Sequence, residues 1–392
     1  MLAITQGLIR YLLKWFQIPR AQYAGLMSSY SNVATPTGAT LTVGSTIVKF
    51  WAHALHPDGN IYYPPYSNNS GIAIYNTTSN TMSTVSWGLS GLGTTNNYQT
   101  AVLHPNGKIY CPPSAASNVL IIDPANATTQ LQSWGLTFSG SSQYNCAAVG
   151  PDNKIYCVGT STGSNPGLCL VIDPVANTAT RTSFGNTMPN IGTTMWPYVG
   201  AITSVKNNKI YFGNYNIANW LVIDTVSQTA NTQTWGGSGG TALATQQTQG
   251  VCNTTNGNIV ATPHAGTVCW QVIDPVANTR TTYTAAQSGA AYKSLGAVLG
   301  SDGFVYAPGF QSTRAVLRFN PVTGAANSFA YGQTVTSGPW GGVMAPNGKI
   351  IFSPSNTDSS PTNLLVLSVN GTGNSQTNFA STCQSYYQNH TQ

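Results

Sequence analysis

One ten-residue phrase recurs seven times along the chain. It reads HPNGKIYCPP at 104–113. It returns as HPDGNIYYPP (56–65), GPDNKIYCVG (150–159), VKNNKIYFGN (205–214), TTNGNIVATP (254–263), GSDGFVYAPG (300–309) and APNGKIIFSP (345–354). The first apolar residues after each turn are Ile61, Ile109, Ile155, Ile210, Ile259, Val305 and Ile350, giving steps of 48, 46, 55, 49, 46 and 45 residues. Such a period suits a four-stranded propeller blade and exceeds that of ankyrin, TPR or leucine-rich units.

Each unit has a second half. NVLIIDP at 118–124 is matched by LVIDPVANTATRTSFG (170–185), LVIDTVSQTANTQTWG (221–236), QVIDPVANTRTTYT (271–284) and LRFNPVTGAANSFAYG (317–332). A unit therefore holds an apolar-small strand, an Asn-Gly or Asp-Gly turn, an IY strand, a VID strand and a Thr-rich strand. The Asx-Gly pair is a strong hairpin signal. The last strand ends in an aromatic: Trp87, Trp134, Phe184, Trp235, Tyr283, Tyr331 or Phe379. A large ring there fills the wedge between neighbouring sheets. The expected fold class is all-β: a seven-bladed β-propeller over residues 46–392, with a short C-terminal tail. A β-solenoid with large coils is the competing architecture; two antiparallel turns per unit favour blades.

Residues 1–45 form a separate expectation. In MLAITQGLIRYLLKWFQIPR, polar Gln6, Arg10, Lys14 and Gln17 make one helical stripe, and Leu8, Ile9, Leu12, Leu13, Trp15 and Phe16 help cover the rest. Arg10 and Lys14 interrupt what a signal peptide needs, and the segment is short for a spanning helix. An interfacial membrane helix competes with a docking or self-association helix, which the broad apolar face favours. Residues 21–44 read as an extended, uncharged arm.

Only 6% of residues are charged, and none is Glu. The formal charge is +6, but Lys108, Lys154, Lys209 and Lys349 repeat one turn position and do not make a nucleic-acid stripe. No nucleic-acid partner is expected. Seven Cys without a C-x-x-C pair do not make a disulfide scaffold. Counting outward from the turn at 150–153 puts Cys146 opposite Cys157, and two reduced buried thiols are favoured over a bridge.

The eight Asp decide the chemistry expected. Asp123, Asp173, Asp224 and Asp274 share the end of the third strand, while Asp58, Asp152 and Asp302 share the first turn. Short acidic side chains cap turns, so only Asp358 is left over. Two carboxylates for glycoside hydrolysis, a calcium cluster and a zinc ligand set all fail to assemble from the sequence. No G-x-S-x-G elbow appears. No metal, no cofactor and no catalytic residue is expected.

The connections between second and third strands, and between blades, differ in every unit and emerge on one face. Variable loops on a repeated frame are the usual place for recognition. Tyr66, Asn68, Tyr98, Tyr144, Met195, Trp196, Tyr198, Tyr215, His264, Phe310 and Trp340 are the candidate ligand contacts. This neutral aromatic and amide mix suits sugars or protein surfaces.

The phrases PNGKIY and VIDPxxNT resemble repeats of bacterial and bacteriophage β-propellers, including virion and tail-associated proteins. The resemblance covers about 85% of the chain. It implies a non-enzymatic virion component on the particle exterior, made in the host cytoplasm. Residues 1–45 would hold it to other virion proteins, as a homo-oligomer within the particle, and the propeller would meet a host-surface glycan or protein or decorate the shell. A bacterial secreted or surface lectin-like propeller is the alternative. Streptogramin-lyase-like propellers also have seven blades; a lyase of that kind is expected to pair His with acidic or metal-binding partners, and the missing Glu argues against it.

Overall fold

The computed structural model describes residues 39–40 and most of 51–368; within that span 67–70, 94–95, 141–142, 160–167, 185–197, 216–218, 234, 236–247, 249, 265–268, 285–292, 295, 311–314, 331–340, 354–362 lie outside the described residues, as do 1–38, 41–50 and 369–392. The chain divides into Met1–Ala34 and Thr35–Gln392, and everything described belongs to the second unit. The expected N-terminal helix, with Leu8, Ile9, Leu12, Leu13, Trp15 and Phe16, lies outside the described residues.

Seven antiparallel sheets follow one another in chain order, six of them built from consecutive strands. Blade 2 is representative: Val102–Leu103 is innermost, then Ile109–Cys111, Val119–Asp123 and Thr128–Gln132. In blade 6 the inner strand is broken into Lys293–Ser294 and Val298–Leu299, both paired to Val305–Phe310. Blade 7 closes differently from the expectation. Its inner three strands are Gly342–Met344, Lys349–Phe352 and Asn363–Ser368. Its outer strand is Ala39–Thr40, from the segment read as the arm, in the register Ala39↔Leu364 and Thr40↔Asn363. The ring is thus closed with a strand from the other end of the chain. The aromatic Phe379, expected to end that blade, lies outside the described residues.

Seven buried apolar clusters account for the ring, each shared by two neighbouring blades. Leu103, Ile109 and Leu120 of blade 2 meet Ala54, Tyr62 and Ile72 of blade 1. The last cluster joins Val343, Ile351 and Val366 of blade 7 to Leu55, Ile61 and Tyr75 of blade 1. A twisted sheet cannot bury both faces alone, so each blade uses its neighbours. The end aromatics fill the wedges as the sequence implies: Phe184 lies in the seam between blades 3 and 4 and Trp235 in that between blades 4 and 5. Trp87 and Trp134 do so from type I′-like turns, with φ of 45° and 50°, each followed by a glycine at positive φ. Two of these rings are also tied to the next blade: Trp134 Nε1 donates to Asn177 Oδ1 (3.1 Å) and Trp235 Nε1 to Asn278 Oδ1 (2.9 Å).

Near the axis, seven inner strands converge and side chains must be small. Ala101, Ala147, Ala201, Ala297 and Gly342 occupy one equivalent position. A Cβ at Gly342 would meet the Ile351 carbonyl at 2.8 Å. Blade 1 carries His53 at that position, and its ring hydrogen-bonds the Gly342 backbone and Ser353 across the seam between blades 7 and 1.

The thiol reading needs a correction. Cys146 pairs with Val158, and Cys157 with Ala147, a register one residue off the count from the turn. A one-residue shift reverses faces, so Cys146 packs toward blade 4 and Cys157 toward blade 2. Both are free thiols, and burial raises the pKa of each.

Candidate functional site

The two faces of the propeller divide the chemistry. On the short-turn face, a carboxylate or amide at one position in all seven blades accepts the backbone N–H two residues on: Asp58, Asn106, Asp152, Asn207, Asn256, Asp302 and Asn347. At the second corner Asp173 accepts from Val175 and Ala176, and Asp224 and Asp274 repeat the arrangement. Lysines add ion pairs: Lys108–Asp123 at 3.0 Å, Lys154–Asp173 at 3.4 Å and Lys209–Asp224 at 3.1 Å. The backbone bonds, then the lysine, hold the Asp173 carboxyl below the usual carboxylate range despite some desolvation. Burial works to raise Asp58, but hydrogen bonds from His56, the Asn60 amide and Tyr62 outweigh it and hold its pKa at about 2. Seven acids are therefore committed to corners.

The opposite face carries the variable loops. Second strands end here in register, with Tyr63↔Ala73, Phe212↔Leu221, Ala261↔Gln271 and Ala307↔Leu317. Three residues beyond each of these strand positions come Tyr66, Tyr215, His264 and Phe310, so the repeat brings four sequence-nominated residues to one ring of equivalent sites. Backbone stitches from the next blade fix these ends: Asn97 N–H to the Tyr66 carbonyl, Thr248 N–H to Asn214, and Ser294 N–H to Pro263. The hydroxyls of Thr248 and Ser294 bond the same two carbonyls at 2.7 and 2.6 Å.

Within that ring the structure pairs aromatic groups. Tyr215 of blade 4 and His264 of blade 5 have ring centroids 5.1 Å apart, tilted by 58°. Trp51 and Tyr66 of blade 1 lie 5.2 Å apart. Tyr66 also hydrogen-bonds Gln99 of blade 2. His264 is 2% exposed. Burial raises the pKa of Tyr215, which stays a neutral phenol.

Other nominated residues are placed differently. Tyr98, Tyr144 and Tyr198 share the start of the inner strand and are buried. Tyr98 Oη donates to the Asn118 carbonyl, and Arg181 Nε donates to Tyr144 Oη. Burial pushes Tyr144 up to about 12 against the Arg181 charge. These rings are taken up by blade packing and have almost no surface to offer a ligand. Phe310 is placed through its backbone pairing with Lys293. Asn68, Met195, Trp196 and Trp340 lie outside the described residues.

Sequence reasoning missed Trp220 and Gln271. The signal was there for the second: Leu120, Leu170, Leu221, Leu317 and Leu365 hold the position that Gln271 takes in blade 5. Among the described residues no group of three or more His, Cys, Asp or Glu side chains could hold a metal ion, and no helix is long and apolar enough to cross a membrane.

No protein-family model and no curated protein sequence matches the chain. Solved structures do. Virginiamycin B lyase from Staphylococcus aureus superposes with a TM-score of 0.64 at 10% identity, over 85% of this chain and 98% of that one. A catalytically inactive form of that enzyme, in which a histidine is replaced by alanine, with quinupristin, gives 0.64 at 11% identity over 86% and 99%. The extracellular domain of a putative one-component system from B. thetaiotaomicron gives 0.59 at 12% identity, over 86% of this chain and 40% of that one. The likeness is one of fold.

It corrects two expectations. Nothing in these comparisons joins the chain to a phage particle, so the virion adhesion and decoration reading does not stand. The propellers it matches include a lyase, so the expectation of a non-enzymatic chain does not stand either. The error was physical: counting carboxylates excludes the two-carboxylate route to glycoside hydrolysis, but a histidine can move a proton without them.

Proposed function

We propose that the chain is an enzyme of the lyase class that takes an uncharged, ring-bearing small molecule on its variable-loop face, with His264 as the proton-transferring group. The observation that carries this reading is the buried Tyr215–His264 pair, 5.1 Å between centroids, contributed by neighbouring blades at equivalent positions. An elimination needs one base to take a proton while a leaving group departs, and a positioned imidazole is the commonest such base. Tyr215 supplies an aromatic face and a neutral phenol beside it. Seven of the eight acids serve corners, which leaves this face with little negative charge and suits a neutral substrate. The shared fold with a lyase that is inactive once a histidine is replaced by alanine supports the assignment.

The test is turnover of a panel of uncharged cyclic peptides, lactones and glycosides, with quinupristin alongside, followed by mass spectrometry. At least one class is expected to give product. His264→Ala should lower kcat by roughly 100-fold or more while circular dichroism shows the fold retained at the assay temperature, and Tyr215→Phe should cost less. Absence of product from every class, or turnover that His264→Ala leaves intact, overturns the reading.

A further inference from the structure

The seam between blades 4 and 5 buries two side chains whose polar atoms find no hydrogen-bond partner among the described residues. Its apolar lining is Ile202, Tyr211, Trp220 and Trp235 from blade 4, with Val251, Ile259, Ala261 and Ile273 from blade 5. Gln271 lies on that same face of blade 5. It is cross-strand from Ala261 and two residues before Ile273, both of which line the seam, and strand residues two apart share a face. Gln271 is 0% exposed, and among the described residues neither its Oε1 nor its Nε2 has a hydrogen-bond partner. Trp220 is also 0% exposed, and among the described residues its Nε1–H has none. Buried polar groups are nearly always paired, so an orphaned carboxamide and an orphaned indole N–H facing one seam call for a partner. Trp220 opens the third strand Trp220–Asp224 of blade 4, and Gln271 lies in the first half of the third strand Cys269–Asp274 of blade 5. That is the variable-loop end, where Tyr215 and His264 begin the two preceding connections.

We infer that this end of the blade 4–5 seam is a subsite for the amide edge of an uncharged ligand, a lactam or carboxamide, held by Gln271 and Trp220 behind the Tyr215–His264 pair. The chemistry fixes the class. A carboxamide offers one acceptor and two donors, and an indole offers one donor. The complement is a group with a carbonyl to receive N–H donors and an N–H to meet Gln271 Oε1. An amide edge has both. The outer strand of blade 5 sets one charged group, Arg280, on the same side of the sheet as Gln271, half-buried and cross-strand from Ile273; a carboxylate ligand would use it and leave Gln271 Oε1 unmet. Tyr215 is the more exposed member of the covering pair, at 7%, so entry means a swing of its ring. The inference rests on the reading of this face as the substrate site and adds what that site recognises.

The experiment follows indole N–H resonances of the full chain labelled with 15N-tryptophan, the Trp220 signal being assigned by its loss in Trp220→Phe. Titration with 2-pyrrolidone should move that signal saturably, and acetate should not. Gln271→Leu, the residue used in five other blades, should fold with an unchanged or higher Tm and weaken the lactam response roughly tenfold, the equivalent of one lost hydrogen bond. A Trp220 signal indifferent to 2-pyrrolidone, a response to acetate alone, or an undiminished response in Gln271→Leu overturns the inference. Lactam binding without turnover of any substrate would sink the enzymatic reading and leave the subsite. Turnover with a KM unchanged by Gln271→Leu would do the reverse.

Discussion

At the residue scale the repeated aspartates and asparagines explain why so few charges suffice. A corner carboxylate here bonds two backbone N–H groups and a lysine, so its removal orphans turn donors as well as breaking an ion pair. Asp173→Ala is expected to cost about 1–2 kcal/mol, whereas Lys154→Ala should cost under about 1 kcal/mol, because that pair is solvent-screened. Urea denaturation of both variants measures the difference; equal losses would mean that the ion pair and not the turn carries the effect. The first-turn position shows how polarity is matched. Asp58, Asp152 and Asp302 accept from the hydroxyls of Tyr62, Tyr156 and Tyr306, each at 2.7 Å. Asn106 and Asn207 instead donate to the hydroxyls of Tyr110 and Tyr211. The turn-capping role was legible in the sequence; the tyrosine partners of these side chains came with the structure. The Gln271 anomaly was legible only as a departure from Leu, because whether a polar side chain finds a partner depends on the facing blade.

At the scale of elements, the seams carry stability and two of them carry distinctive chemistry. Trp235 closes the blade 4–5 seam, packs edge-on to Trp220 at 5.6 Å and ties to Asn278. Trp235→Ala should cost about 3–5 kcal/mol through the cavity left behind, and Asn278→Ala about 1 kcal/mol for one hydrogen bond. In the seam between blades 7 and 1, burial pulls the His53 pKa down from 6.5 to about 4, against its hydrogen bond to the Gly342 backbone. Its neighbours there are Ser353, at 2.8 Å, and the Tyr63 ring, at 6.2 Å. The folded state then binds fewer protons than the unfolded chain between those two values. Stability is fully present above about pH 6.5 and falls as pH drops toward 4, by up to about 3 kcal/mol at ~1.4 kcal/mol per unit. Thermal melts from pH 7 to 4.5 should show a declining Tm in the wild type and a flatter profile in His53→Gln. Parallel profiles would assign the decline to other groups.

At the scale of the molecule, ring closure is the decisive event. Blade 7 draws its outer strand from Ala39–Thr40, so the first blade of the sequence and the last are coupled through both ends of the chain. Deleting residues 1–34 should leave the melting transition in place, while deleting 1–45 removes that strand and should lower Tm by several degrees. Identical melts for the two deletions would show that the strand contributes nothing to closure. A ring in which every seam is shared by two blades also has no terminal unit to unfold first, and a single transition is expected.

The amino-acid sequence alone determined the number of blades, the strand pattern within each, the two unlike faces and the corner role of seven acids, because those follow from local turn chemistry and two-residue periodicity. Three features were settled only by the tertiary structure. The closing strand comes from residues 39–40, since edge pairing is decided by which segment reaches an open sheet edge. Tyr98, Tyr144 and Tyr198 go into packing while Tyr215 and His264 meet across a seam, since a repeat position states a height on the blade but not what the neighbour presents there. Gln271 and Trp220 become an unmatched polar pair for the same reason: burial and partnership belong to two blades at once, and no stretch of one blade encodes them.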